Sequence, residues 1–188
     1  YFDPVLWHNN QQKAYTGYCS DIFTDNAIDF IEKNQEEPFF CYLSFNAPHT
    51  PLQVPDKYYQ MYKDIDPSND IDAHLLPEAE LTEKDKEDAR KVYAMVSNID
   101  DNLKRLFQKV ETLGIEDNTI IIFMTDNGPQ QVRYVSGMRG RKSSVYRGGI
   151  RVPFFMRYPA KFKDNQDIDQ MVAHIDILPT LSQFCSAT

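Results

Sequence analysis

Residues 119–131, TIIIFMTDNGPQQ, run from the apolar side chains Ile120, Ile121, Ile122 and Phe123 into Asp126, Asn127 and Gly128. A segment apolar on both faces fits a strand inside a sheet that is covered on both sides, the usual setting of parallel strands. The preceding segment, LTEKDKEDARKVYAMVSNIDDNLKRLFQKVETLG, repeats Ala89, Val92, Val96, Ile99, Leu103, Leu106, Val110 and Leu113 at helical spacing. Thr82 is placed to cap that helix and Gly114 to stop it. A long amphipathic helix leading into a buried strand points to α/β layering.

The rest of the chain extends the pattern. DIFTDNAIDFIEKNQ (21–35) carries Ile22, Phe23, Ala27, Phe30 and Ile31 at helical spacing, with Thr24 and Asp25 able to cap an early turn. Phe39–Phe45 follows as a second buried strand, opened by Pro38 and broken by NAPHTP. Residues 51–81 are polar and prolyl, a long loop or insertion in which Tyr58, Tyr59 and Tyr62 mark a short helical turn. VPFFMRYP, bracketed by Pro153 and Pro159, reads as a brief strand, and QMVAHIDILPTLSQFC leads through Pro179 into a helix beginning near Thr180. The expected fold is α/β, a mostly parallel sheet flanked by helices.

At 188 residues and 41% hydrophobic the chain can bury one substantial core, and no apolar run approaches the roughly 20 residues of a membrane helix. It starts YFDPVLWHNN, without an initiator Met or a signal-type stretch, as expected of a processed product or an excised piece. Three cysteines, Cys19, Cys41 and Cys185, show no metal or redox spacing and read as buried free thiols. The net charge of −8 argues against a nucleic-acid partner held by a global basic field.

That average hides a local inversion. No Asp or Glu lies between Asp126 and Asp164, where nine of the twenty Lys and Arg residues fall, from Arg133 through Lys142 to Lys163. Directly after the Asp-Asn-Gly tip, such a segment suits an anion site. Ligands in open α/β sheets gather at the carboxyl ends of strands, where His49, Asp126 and Asn127 all follow predicted strands.

Asp126 and Asn127 offer hard oxygen ligands suited to Ca²⁺ or Mg²⁺ rather than zinc, although two ligands make no cage. Lys142 and the glycines around it in GMRGRKSSVYRGGIRVP can bring cationic and backbone donors against a sulfate or phosphate. His49, stiffened by Pro48 and Pro51, suits a proton donor to a leaving oxygen. Read alone, Asp-Asn-Gly is also a common turn former, Gly-Gly a tight turn, a charge run a solvated face, and a loop histidine a surface residue.

Taken in order, GYCSDIFTDNAIDFI, PFFCYLSFNAPHTPLQVPDKY, DNTIIIFMTDNG, RGRKSSVYRGGIRVPFFMRYP and HIDILPT resemble the sulfatase family of the alkaline-phosphatase-like superfamily over most of the chain. The resemblance implies a sulfuric ester hydrolase with a divalent metal, usually Ca²⁺, and a formylglycine nucleophile made from Cys or Ser in a C/S-x-P-S-R motif. It implies metal ligation by Asp126 and Asn127, a sulfate contact by Lys142, and sulfate contact with leaving-group assistance by His49. It further implies a sulfated small molecule or glycan as substrate and a secreted, periplasmic or lysosomal parent.

The departures are informative. CSDIF, CYLSF and CSAT do not match the formylglycine motif, and the family's early Asp pair and its further Lys and His beside the nucleophile are missing. Arg147 stands where members often carry Glu before Gly-Gly. Residues 1–188 are therefore expected to form the carboxyl-side part of one sulfatase catalytic domain, incomplete and inactive alone, with exposed sheet edges and the missing N-terminal part as its natural partner. His174 and Asp176 read as framework near a helix start. The alternatives are a phosphodiesterase or phosphonate monoester hydrolase of the same superfamily, and a non-catalytic module that binds sulfated glycans.

Overall fold

The computed structural model describes residues 1–68 and 81–185. A β-hairpin opens the chain, with β1 (Val5–His8) antiparallel to β2 (Gln11–Ala14). Helix α1 (Cys19–Asn34) follows, then a short α2 (Asp56–Tyr59) and the long α3 (Glu83–Thr112). Strand β3 (Ile121–Met124) pairs antiparallel with β4 (Phe154–Arg157), the four-residue turn α4 (Arg147–Ile150) lies between them in sequence, and α5 (Ile177–Phe184) ends the described chain.

Helix α3 is the spine. Thr82 Oγ1 accepts from the Asp85 amide at 3.1 Å while Asp85 Oδ2 accepts from the Thr82 amide at 3.0 Å, a reciprocal cap that satisfies two otherwise orphaned donors. Gly114, at φ +68, turns the chain out of the other end, as the sequence predicts. Thr82→Ala removes the hydroxyl half of the cap and is expected to lower stability by about 1 kcal/mol, read from the urea midpoint of the full-length protein.

The buried face of α3 differs in detail from the predicted stripe. Val96 is exposed, while Asn98 and Asn102 are fully buried and donate from Nδ2 to Asp21 Oδ1 of α1 at 2.8 and 2.7 Å. This cluster of a half-buried carboxylate and two buried amides fixes the register of α1 on α3, a role that an apolar residue does not fill. Helix α1 starts at Cys19, before the proposed Thr24/Asp25 cap. Thr24 is buried instead, and its hydroxyl donates to the Ser20 carbonyl. Tyr58, Tyr59 and Tyr62 anchor the first part of the 51–81 excursion on α3 through Asp101, Glu87 and Ser97. Residues 69–80 of that excursion lie outside the described residues.

Three expectations need correction. Both sheets among the described residues are two-stranded and antiparallel, not the mostly parallel sheet expected. Phe39–Phe45 forms no strand: among the described residues no ladder partner lies beside it, and Phe40 and Tyr42 are 75% and 81% exposed. Propensity favours the extended chain, but a strand needs a neighbour to bond to. Of the three thiols only Cys19 is buried; Cys41 is half-buried and Cys185 exposed.

Helix α5 begins three residues before Thr180 because Pro179 falls in its first turn, where no intrahelical amide donor is needed. No helix among the described residues is long and apolar enough to cross a membrane.

Candidate active site

The core that positions the site is centred on Ala47, Met95 and Ile99, with Tyr1, Phe45 and Phe123 packed around it. Ala47 lies two residues before His49 and Phe123 three before Asp126. The two predicted chain tips thus leave one core cluster on α3.

At the β3 tip, Asp126 is exposed and its Oδ1 accepts from the Asn127 amide at 2.9 Å. Asn127 Nδ2 donates to the Gly128 carbonyl at 3.0 Å. Asp126 Oδ2 and Asn127 Oδ1 carry no hydrogen bond among the described residues, so two hard oxygens remain open side by side. The tip is a bend held by its own side chains and an offered donor pair at once, since both oxygens remain free of those bonds.

The glycines decide where Lys142 goes. Gly128 N donates to the Gly149 carbonyl at 2.9 Å, Lys142 N to the Pro129 carbonyl at 2.9 Å, and Gly148 N to the Arg139 carbonyl at 2.7 Å. A Cβ on Gly128 would overlap the Gly148 carbonyl and lie 3.0 Å from Gly149 Cα. Only backbone without side chains permits this approach. Gly148 and Gly149, predicted to allow close approach to a ligand or to make a turn, are buried and are approached by protein backbone instead. The clasp sets Lys142, half-buried and in no ion pair among the described residues, beside the Asp-Asn tip. Arg139 is held to one side, its guanidinium 4.0 Å from the Tyr146 ring centroid.

His49 is exposed on a braced loop. Its amide donates to the Asn46 carbonyl at 2.9 Å, and its own carbonyl accepts from the Tyr1 hydroxyl at 2.7 Å. Its Nδ1 lies 2.8 Å from the Thr50 carbonyl. A carbonyl only accepts, so Nδ1 carries a proton and Nε2 is the outward nitrogen. The Thr50 carbonyl thereby sets the orientation of the ring.

His174 Nε2 lies 3.1 Å from the Thr125 carbonyl and donates to it, tying the segment before α5 to the residue preceding Asp126. Asp176 accepts from the Ala173 amide at 2.8 Å, which commits one of its oxygens to a local turn. Arg147 is exposed, and its carbonyl accepts from the Arg151 amide at 2.8 Å.

The fit to a hard divalent cation is partial. Two adjacent oxygen donors suit Ca²⁺ or Mg²⁺, but no group of three or more His, Cys, Asp or Glu side chains able to hold a metal occurs among the described residues. A complete shell requires donors beyond these.

The chain has counterparts among known proteins. A sequence model described as Sulfatase matches residues 3–186. The chain belongs to the sulfatase family. It is 30% identical over 187 residues to the uncharacterized sulfatase YdeN of Escherichia coli, covering 96% of this chain and 30% of that protein. It is 27% identical over 194 residues to an endo-4-O-sulfatase of Bacteroides thetaiotaomicron, covering 97% of this chain and 37% of that protein. Among solved structures, Ps i-CgsB in complex with k-i-k-neocarrahexaose superposes with a TM-score of 0.83 at 28% identity, over 98% of this chain and 38% of that one.

This sulfatase chain thus spans about a third of the length of these relatives. Its fold is shared with sulfatases of the alkaline-phosphatase-like class. Sequence reasoning missed three supports of the site: the hairpin root that places Tyr1 under His49, the interlocked glycines, and the enclosure of Arg133. Asn9 and Asn10, both at positive φ (48° and 64°), are the signal that could have found the hairpin turn.

Proposed function

We propose that this chain is the carboxyl-side part of a sulfatase catalytic domain that hydrolyses sulfate monoesters, with the nucleophile supplied by polypeptide outside residues 1–188. The observation that carries the reading is the clasp that sets two open hard oxygens, on Asp126 and Asn127, beside Lys142, which makes no ion pair among the described residues. A sulfuryl group in transfer spreads negative charge over its non-bridging oxygens, and fixed cationic donors stabilise it most where they need not reorganise.

In this reading Lys142 Nζ meets one of those oxygens. His49 Nε2 contacts the sulfate and gives its proton to the ester oxygen as the S–O bond breaks and the sulfur bonds to an attacking oxygen supplied from outside residues 1–188, so that the alcohol leaves neutral. Asp126 and Asn127 would be two of the ligands of a Ca²⁺ ion, Mg²⁺ being the other candidate, and the ion when bound would neutralise charge on the sulfate. The formylglycine and the remaining ligands would come from polypeptide outside residues 1–188. The substrate class is a sulfated saccharide or small molecule, supported by the endo-4-O-sulfatase name of one relative and by the oligosaccharide in the Ps i-CgsB complex. Relatives from bovine N-acetylglucosamine-6-sulfatase to bacterial enzymes span several settings, in keeping with a secreted, periplasmic or lysosomal parent.

The test is hydrolysis of an aryl sulfate and an aryl phosphate by the full-length protein and by residues 1–188 alone, with and without EDTA. The expected result is sulfate cleavage by the full-length protein only, abolished by EDTA and restored by Ca²⁺. Preference for phosphate moves the assignment to a phosphoester or phosphonate hydrolase of the superfamily. Activity of residues 1–188 alone refutes the claim that the nucleophile lies elsewhere.

A further inference from the structure

The basic segment holds one cation unlike the rest. Arg133 lies in the loop of residues 130–141, closed at its base by the Lys142 amide on the Pro129 carbonyl (2.9 Å) and by Arg141 Nη1 near the Gln130 carbonyl (3.4 Å). Its Nε is shut off from solvent and has no hydrogen-bond partner. Its terminal nitrogens donate to no described residue, yet they are not among the sealed, unsatisfied atoms, so the fork end keeps access to solvent. No carboxylate pairs with it among the described residues, and residues 127–163 contain none that could do so locally.

A guanidinium serving only the fold normally spends its donors on a carboxylate or on carbonyls, because an enclosed, unpaired charge is costly. Burial lowers the affinity of Arg133 for its proton, the Tyr93 phenol of α3 acting in the opposite sense. A stem held by packing with an open two-nitrogen fork is the arrangement that binds a planar or tetrahedral oxyanion bidentately with little ordering left to do. Arg133 lies three positions after Gln130 at the loop base, at most about 11 Å of chain. A sugar ring and its substituents can bridge such a distance from the Lys142 side.

We propose that Arg133 binds a second oxyanion, a carboxylate or a sulfate, on the substrate beyond the ester that is cleaved. This rests on the sulfatase reading above and adds what that reading leaves open: the substrate carries at least two anionic groups, and Arg133 selects for the one that is not removed.

The experiment uses the full-length protein and three aryl glycoside probes with the same scissile sulfate: one with no other charge, one with a second sulfate, and one with a uronate carboxylate. The wild type is expected to favour one of the doubly charged probes. Arg133→Gln is expected to lower the ratio of kcat/KM for that probe over the singly charged one by roughly tenfold or more, mainly through KM. Arg133→Lys should recover part of the ratio, because it restores charge without the fork. Whichever doubly charged probe responds identifies the oxyanion.

Equal loss on all three probes, or a lowered urea midpoint with the ratio unchanged, overturns the proposal and makes Arg133 a structural residue. If no probe is hydrolysed, the sulfatase reading fails separately, and calorimetry with the doubly sulfated probe decides the matter. Binding lost in Arg133→Gln supports the anion site; binding unchanged or absent in both proteins overturns it.

Discussion

Lys142→Ala in the full-length protein is expected to lower kcat/KM on an aryl sulfate by about 100- to 1000-fold, the cost of removing one preorganised donor to developing charge. The loss should fall mainly on kcat, because the proposed contact would strengthen as charge moves onto the sulfuryl oxygens. The fold should be indifferent. Lys142 makes no ion pair among the described residues, and the bond that anchors it, from its amide to the Pro129 carbonyl at 2.9 Å, belongs to the backbone and survives the substitution. The urea midpoint is therefore expected to stay within about 0.5 kcal/mol of wild type. Lys142→Arg should restore only part of the rate, since a planar fork does not place its charge where an ammonium does. A variant that keeps wild-type kcat/KM removes Lys142 from the site.

What the sequence discloses divides along the range of the interaction. Helix α3 is legible end to end because its signals are local: the Thr82 cap answers to Asp85 three residues on, and Gly114 supplies the positive φ of the exit. β3 is legible as an apolar strand, whereas Phe39–Phe45, equally apolar, forms none. Pairing is not legible, because it depends on what lies beside a segment, and the described chain offers β3 only β4, in antiparallel register.

The hairpin escaped notice because Gln11, Gln12 and Lys13 face solvent and give no apolar alternation. At the site, Asp126, Asn127, Lys142 and His49 were each nameable from a short motif. The bonds that set them in place join residues far apart in sequence: Tyr1 to His49, Gly128 to Gly149, His174 to Thr125. The open fork of Arg133 was invisible for the same reason, since enclosure is a property of the folded loop and not of the residue.

Gly128→Ala is expected to damage the full-length protein by a different route from Lys142→Ala, and the contrast tests the clasp itself. An added Cβ overlaps the Gly148 carbonyl and comes within 2.8 Å of its carbon. Neither atom is the end of a flexible side chain, so the backbone of one partner must move. Moving it breaks the bond from Gly128 N to the Gly149 carbonyl, now 2.9 Å, and shifts the loop whose Lys142 amide is bonded to Pro129 one residue further on.

Overpacking of this kind costs about 1–3 kcal/mol, so the urea midpoint should fall, unlike that of Lys142→Ala. Activity should fall further than the folded fraction does, by about 100-fold, because a displacement of roughly 1 Å between the donors and the reacting group is enough for that loss. Ca²⁺ affinity should weaken as well, since Asp126 and Asn127 stand on the displaced turn. If Gly128→Ala retains wild-type kcat/KM and midpoint, the backbone approach between Gly128 and Gly148 does not set the geometry of the site, and the placement of Lys142 beside Asp126 and Asn127 loses its structural basis.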